Sequence, residues 1–245
     1  MNVVEFQKFK ASCESCNLAE LCLPRGLNQQ ELESLEKLVR QTRPLQKGDY
    51  LFRGGDPLSS LYAVRSGSIK LFTDSDDGEE QIIGFYLPGE IVGLDGFETN
   101  AHSCSAIALE TSSLCSFPYA DLAHICQNVP ALQEQMFRIM GRELSHENRL
   151  LLTIAKKNAE ERIASFLSSL SARFKTLGFS PLDFHLSMSR QEIGNYLGLT
   201  IETVSRILSR LQKNGVIEID NKRITIVNPE ALSGMCGGKS FDAAS

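Results

Sequence analysis

The sequence predicts an α+β chain with a jelly-roll β-barrel in its N-terminal half, one long dimerisation helix, and a winged helix-turn-helix at its C-terminal end. Three observations carry this. Between Pro44 and Pro118 the sequence falls into short apolar or alternating runs (LYAVRSG, SIKLFT, QIIGFYL, CSAIAL, SLCSFP) broken by glycines, the pattern of antiparallel strands in a sandwich or closed barrel. From Pro130 to about Lys157 the pattern changes, and apolar residues recur at helical spacing. After Ser189, two helical stretches flank Gly198-Leu199-Thr200, and an alternating hairpin follows.

A length of 245 residues exceeds a usual domain of about 100–150, so two domains are expected, each with its own core. Apolar content of 42%, charged content of 22% and no Trp describe an ordinary globular protein. No apolar run approaches about 18 residues and the N-terminus lacks a signal-type apolar stretch, so a cytoplasmic location without a membrane partner is expected. The net charge of −5 argues against a broadly basic nucleic-acid coat. Charge is local, however: Leu186 to Pro229 carries six cations and four anions. The expected segments are a cysteine-bearing arm (1–27), the β domain (28–128), the dimerisation helix (129–157), the winged reader (158–232) and a flexible tail (233–245) with Cys236 as a spare thiol.

The arm reads SCESCNLAELCLP, with Cys13, Cys16 and Cys22 as C-x2-C-x5-C. Seven cysteines in a reducing compartment do not form a lasting disulfide framework, so a metal or redox role is expected. Three soft thiolates so close make a metal clip, with a fourth ligand supplied from Cys104, Cys115, Cys126, Cys236 or a histidine. Zinc and an iron–sulfur cluster both remain open; the wide x5 gap favours the cluster slightly.

Asn28 with Glu31 forms a capping box that opens a short helix lined by Leu32, Leu35, Leu38 and Val39. In the β domain, a metal enzyme built on the barrel would need several histidines converging on the lumen. Between Pro44 and Pro118 only His102 is present, and it reads as a loop residue, so no enzyme is expected.

On the long helix, Phe137, Met140, Leu144, Glu147, Leu151 and Ile154 follow one another at steps of 3, 4, 3, 4 and 3, a heptad seam for a homodimer. The bland alternative is a core helix with Glu147 tilted into water. Asn158 with Glu161 caps the next helix, whose Ile163, Phe166, Leu167, Leu170 and Phe174 share a face. Ser189 and Glu192 cap the first helix of the reader. On the second, Ile201 to Lys213, Val204, Ile207, Leu208 and Leu211 face inward and leave Glu202, Ser205, Arg206 and Ser209 outside, with Arg210 and Lys213 nearby. Glu accepts from cytosine, Arg forks onto guanine and Ser adapts, so this face has base-reading chemistry for double-stranded DNA. Val216 to Ile219 and Arg223 to Val227 form the wing.

The β domain, long helix and reader EIGNYLGLTIETVSRILSRLQKNGVI together resemble the CRP/FNR superfamily of bacterial transcription regulators. CESCNLAELCLP, the lone cysteine of LETSSLCSFP, KKNAEERIASFL and the IETVSR helix resemble its oxygen-sensing FNR/ANR branch. The resemblance implies a cyclic-nucleotide-binding-like barrel and a [4Fe–4S] cluster on Cys13, Cys16, Cys22 and Cys115. It also implies dimerisation without oxygen, and TTGAT…ATCAA-type inverted repeats read by Glu202, Ser205 and Arg206. RNA polymerase is the implied protein partner. In PGEIVGLDGFETNAHSCSAIAL, Leu94 and Cys104 stand where cyclic-nucleotide-binding relatives hold the ribose and phosphate with Glu and Arg, so no cyclic nucleotide is expected.

Overall fold

The computed structural model describes residues 13–74 and 78–237. The first part of the arm and the tail beyond residue 237 lie outside the described residues. Two compact units divide the chain between Arg142 and Glu143, inside the long helix rather than at its end.

In the first unit, helix α1 (Gln29–Glu36) starts with the expected box: Asn28 Oδ1 accepts from the Glu31 amide at 3.0 Å, and Glu31 Oε2 accepts from the Asn28 amide at 2.8 Å. Eight strands follow: β1 (Arg40–Gln41), β2 (Tyr50–Phe52), β3 (Ser60–Ser66), β4 (Ile69–Asp74), β5 (Glu80–Tyr86), β6 (Ile91–Val92), β7 (Ser105–Ala108) and β8 (Ser113–Pro118). They form two antiparallel four-stranded sheets, ordered β1-β8-β3-β6 and β2-β7-β4-β5. The jelly-roll is therefore an open two-sheet sandwich and not a closed barrel; β1 and β6, two residues each, are too short to bond across to the other sheet.

Strand alternation gives the first sheet two different faces. Val64, Val92 and Leu114 point into the sandwich with Phe52, Ile69, Leu71 and Ala106. Leu61, Ala63, Ile91 and Phe117 point the other way, into a second core shared with Cys22, Leu23, Leu35 and two more helices, and Cys115 packs on that same side. Those helices are α2 (Tyr119–Asn128) and α3 (Pro130–Lys156), the latter opening on a proline whose missing amide costs nothing at a helix start. On α3, Leu132, Gln135, Met136 and Ile139 are buried.

In the second unit, α4 (Ala159–Thr176) carries the Asn158 and Glu161 box and buries Ile163, Phe166, Leu167 and Leu170. The reader consists of α5 (Arg190–Leu197), capped by Ser189 and Glu192, and α6 (Ile201–Lys213), capped by Thr200. Gly194 lets the two helices close: a Cβ there would lie 2.6 Å from the Leu199 carbonyl oxygen. The wing has one strand more than expected. Besides β10 (Ile217–Asp220) and β11 (Arg223–Ile226), a three-residue strand β9 (Asp183–His185) pairs Phe184 with Ile224; three residues are too few to show an alternation in sequence. The segment from residue 233, expected to be loose, first completes α7 (Pro229–Gly234), and the Cys236 thiol sits 3.3 Å from Ser168 Oγ on α4. Among the described residues no helix is long and apolar enough to cross a membrane.

Candidate metal centre and nucleic-acid interface

The arm from Cys13 to Pro24 is a series of turns, held by backbone bonds such as Cys16 N–H to Cys13 O at 3.2 Å and Cys22 N–H to Leu18 O at 3.0 Å. It lies against the outward face of the first sheet, where Cys115 pairs opposite Ala63. Cys13, Cys16, Cys22 and Cys115 line one pocket with Leu18, Ala63, Arg65 and Phe117. Among the described residues no group of three or more His, Cys, Asp or Glu is placed to hold a metal ion. Burial pushes the Cys13 thiol up to about 12, and the charged forms of Cys115, Glu36 and Cys16 push the same way while Arg65 opposes. Cys22 is likewise pushed up to about 12 by burial, with Cys13, Cys115 and Cys16 adding to it. Burial raises Cys115 too, against Arg65. Cys13 and Cys22 thus each sense the neighbouring thiols.

Two side chains fix the ends of this arm. Glu36 Oε1 accepts from the backbone amides of Cys13 (2.6 Å) and Glu14 (3.0 Å). Gln135 Nε2 donates to the Cys22 carbonyl at 3.0 Å. The sheet also comes close: Gly89, at φ +86°, has the place of its missing Cβ 3.0 Å from the Leu21 Cβ.

Of the other cysteines, Cys126 stands on α2 and Cys104 inside the sandwich core. Cys104 is held protonated by burial and by Asp95, whose carboxylate also accepts from the Ser103 amide at 2.9 Å. His102 is in a loop as expected, yet buried, its ring stacked on Phe52 at 3.6 Å and its Nδ1 3.3 Å from Asp95. Leu94 opens a short 3₁₀ turn, Leu94–Phe97.

Along α3, Phe137 (61% exposed), Leu144 (60%) and Leu151 (65%) stand in the open. They are spaced by seven and form one column; Met140, Glu147 and Ile154 form the column beside it, with Glu147 exposed. Large apolar side chains exposed on a helix mark an interaction surface.

On α6, Val204, Ile207, Leu208 and Leu211 are buried, while Glu202, Arg206, Ser209, Arg210 and Lys213 are exposed and Ser205 is half-buried. Glu202, in the first turn, is kept ionised by its own amide and the Thr200 hydroxyl, which lower its pKa. The side chains of Arg206 and Lys213 make no hydrogen bond or ion pair among the described residues. Arg210 differs: its Nη1 binds Glu160 Oε2 on α4 at 2.9 Å.

Residues 42–129 match the cyclic nucleotide-binding domain family and residues 161–235 the Crp-like helix-turn-helix domain family. The chain is 50% identical over 229 residues to the transcriptional activator protein Anr of Pseudomonas protegens, covering 94% of each. It is 46% identical over 225 residues to the fumarate and nitrate reduction regulatory protein of Escherichia coli K12, covering 92% of this chain and 90% of the other. The chain belongs to the FNR/Anr branch of the CRP/FNR family. FixK2 of Bradyrhizobium japonicum shares its fold, with a TM-score of 0.76 and 27% identity over 82% of this chain and 99% of that one. This FNR/Anr-branch chain is accordingly a DNA-binding transcription regulator.

Three positioning residues have no role assigned from sequence. Glu36 and Gln135 occupy helical positions without a motif of their own. Arg162 lies within KKNAEERIASFL, and its guanidinium bonds four carbonyls, Ile154 (2.7 Å), Lys157 (3.0 Å), Leu197 (3.0 Å) and Gly198 (3.4 Å). The signal was its place: four residues past the cap Asn158, a cation one turn into α4 can reach back to the end of α3.

Proposed function

We propose that this regulator senses oxygen through a [4Fe–4S] cluster held by Cys13, Cys16, Cys22 and Cys115, and that the cluster controls pairing through α3 and reading of TTGAT…ATCAA-type inverted repeats. The observation that carries it is the pocket lined by these four thiols. When bound, such a cluster supplies four irons, one for each thiolate, and an oxygen-labile inorganic core. Four cysteine thiolates are the ligand set that such a cluster takes. Arg65 supplies a cation against the assembled thiolates, and Leu18, Ala63 and Phe117 keep the pocket apolar. Without the cluster, burial returns Cys13, Cys22 and Cys115 to their protonated forms and the arm loses the bonds that anchor it.

Pairing would use the Phe137, Leu144 and Leu151 column with Met140 and Ile154, and Glu147 would oppose it. Glu202, Ser205 and Arg206 would read base edges, Ser209 and Lys213 would flank them, and Arg210 would act partly through Glu160. A cyclic nucleotide is not the signal: Cys104 beside Asp95 offers an anionic surrounding where a phosphate needs a cation. Relatives named for activation and for fumarate and nitrate reduction support control of anaerobic genes, with RNA polymerase as the cytoplasmic partner. Purification without oxygen, followed by iron and sulfide determination and sedimentation before and after admitting air, tests this. Iron and sulfide in equal amounts and an air-sensitive dimer are expected; zinc alone, or a dimer indifferent to air, would overturn it.

A further inference from the structure

We propose that Gln135 is the positioning residue that couples the cysteine arm to the pairing helix, an inference that rests on the cluster reading above. Gln135 is wholly buried on α3, its Nε2 donating to the Cys22 carbonyl at 3.0 Å, while its Oε1 is buried without a partner among the described residues. The arm and the first turns of α3 share one apolar core, in which Cys22 and Leu23 lie with Leu132, Met136 and Ile139. Those residues occupy one side of α3; Phe137, two positions from Gln135, stands exposed on the other. Helix α3 is thus a common wall between arm and seam.

A buried amide with one bond is tolerated, but with none it is strongly disfavoured, because water is not there to replace what is lost. With the arm ordered, Cys22 satisfies the Nε2 donor and the first turns of α3 stay packed. When the arm loosens, Cys22 withdraws, both ends of the Gln135 amide are orphaned, and these turns are driven to open. Their opening displaces Phe137 and Met140 from register. A methionine in the same place would lie in either state without complaint, so the two states would no longer differ at this point of the helix.

Gln135→Met in the full chain tests this. The variant should retain wild-type iron and sulfide without oxygen. The ratio of its dimer dissociation constants without and with the cluster should fall about tenfold from the wild-type ratio, equal to about 1.4 kcal/mol of coupling, mainly because the cluster-free variant pairs better. A purely structural role would move both constants together and leave the ratio alone. An unchanged ratio in the iron-loaded variant overturns the proposal, and so does loss of iron from the variant, which would make Gln135 a support of the metal site. Iron-free wild type would instead sink the cluster reading itself. If the variant does not fold, hydrogen exchange on wild type decides: the amides of Leu132 to Ile139 should exchange faster without the cluster, and equal rates overturn the coupling.

Discussion

The guanidinium of Arg162 donates from Nη2 to the Ile154 carbonyl at 2.7 Å, so the last turn of α3 is tied by a charged side chain to the start of the reader. The same group reaches Leu197, where α5 ends before the turn into α6. Helix C-termini are the negative ends of their dipoles, and one planar cation serves two of them.

Arg162→Ala should destabilise the second unit by about 1–3 kcal/mol, the range for lost bonds to a charged donor. Arg162→Lys should recover less than half, since an ammonium has no planar fork to span four carbonyls. Denaturant unfolding of the three proteins checks both.

Cys115→Ser should abolish cluster retention as fully as Cys13→Ser, because either change leaves one iron without its thiolate. Cys104→Ser and Cys126→Ser should keep anaerobic iron at the wild-type level. Iron analysis that ranked Cys104→Ser below Cys115→Ser would reverse the ligand assignment.

Arg206→Ala should lower affinity for the specific site by about 1–3 kcal/mol and relax preference at the guanine of each half-site. Lys213→Ala should weaken specific and random DNA alike and make the salt dependence shallower, by about 0.9 in slope for each phosphate it no longer neutralises. Arg210→Ala should lose less than Arg206→Ala, since Glu160 already holds its guanidinium. Titrations at several salt concentrations separate the three.

Glu147→Leu should pair in air, and Glu147→Ala more weakly. Two carboxylates about 4–6 Å apart at an effective dielectric near 20 repel by roughly 3–4 kcal/mol before screening and side-chain escape. Leucine removes that and extends the apolar column. Aerobic sedimentation in which both variants stay monomeric would rule out Glu147 as the brake.

The cluster-free protein should lose stability as pH rises from about 9 toward 12. Cys13 and Cys22 are pushed up to about 12 by burial, so between the two values the folded chain holds protons that the unfolded chain has released. The contribution is fully present below pH 9. Thermal melts of metal-free protein across this range should show it, and anaerobic loading should release protons.

Much of the fold was legible because local chemistry and tertiary need coincide: Asn28, Asn158 and Ser189 cap helices in the sequence and in space alike. The exposed column of Phe137, Leu144 and Leu151 could be read from spacing alone, because an exposed helix face keeps its period. What stayed hidden depends on residues distant in sequence. Cys22 and Gln135 are 113 residues apart, and β9 exists only because β11 offers it an edge. Spacing could group Cys13, Cys16 and Cys22, but strand alternation had to turn Cys115, rather than Cys104, toward the arm. The open sheets were missed because glycine-broken runs look the same whether or not a ring closes.

On the proposed pairing, the bare column of Phe137, Leu144 and Leu151 would tie the response to abundance. When chains are scarce relative to the strength of their pairing, the amount of dimer grows with the square of the amount of protein, so doubling the supply quadruples the species that binds an inverted repeat. A cell that makes more of this regulator would thus engage its promoters at a higher oxygen level, with no change in the metal centre at all.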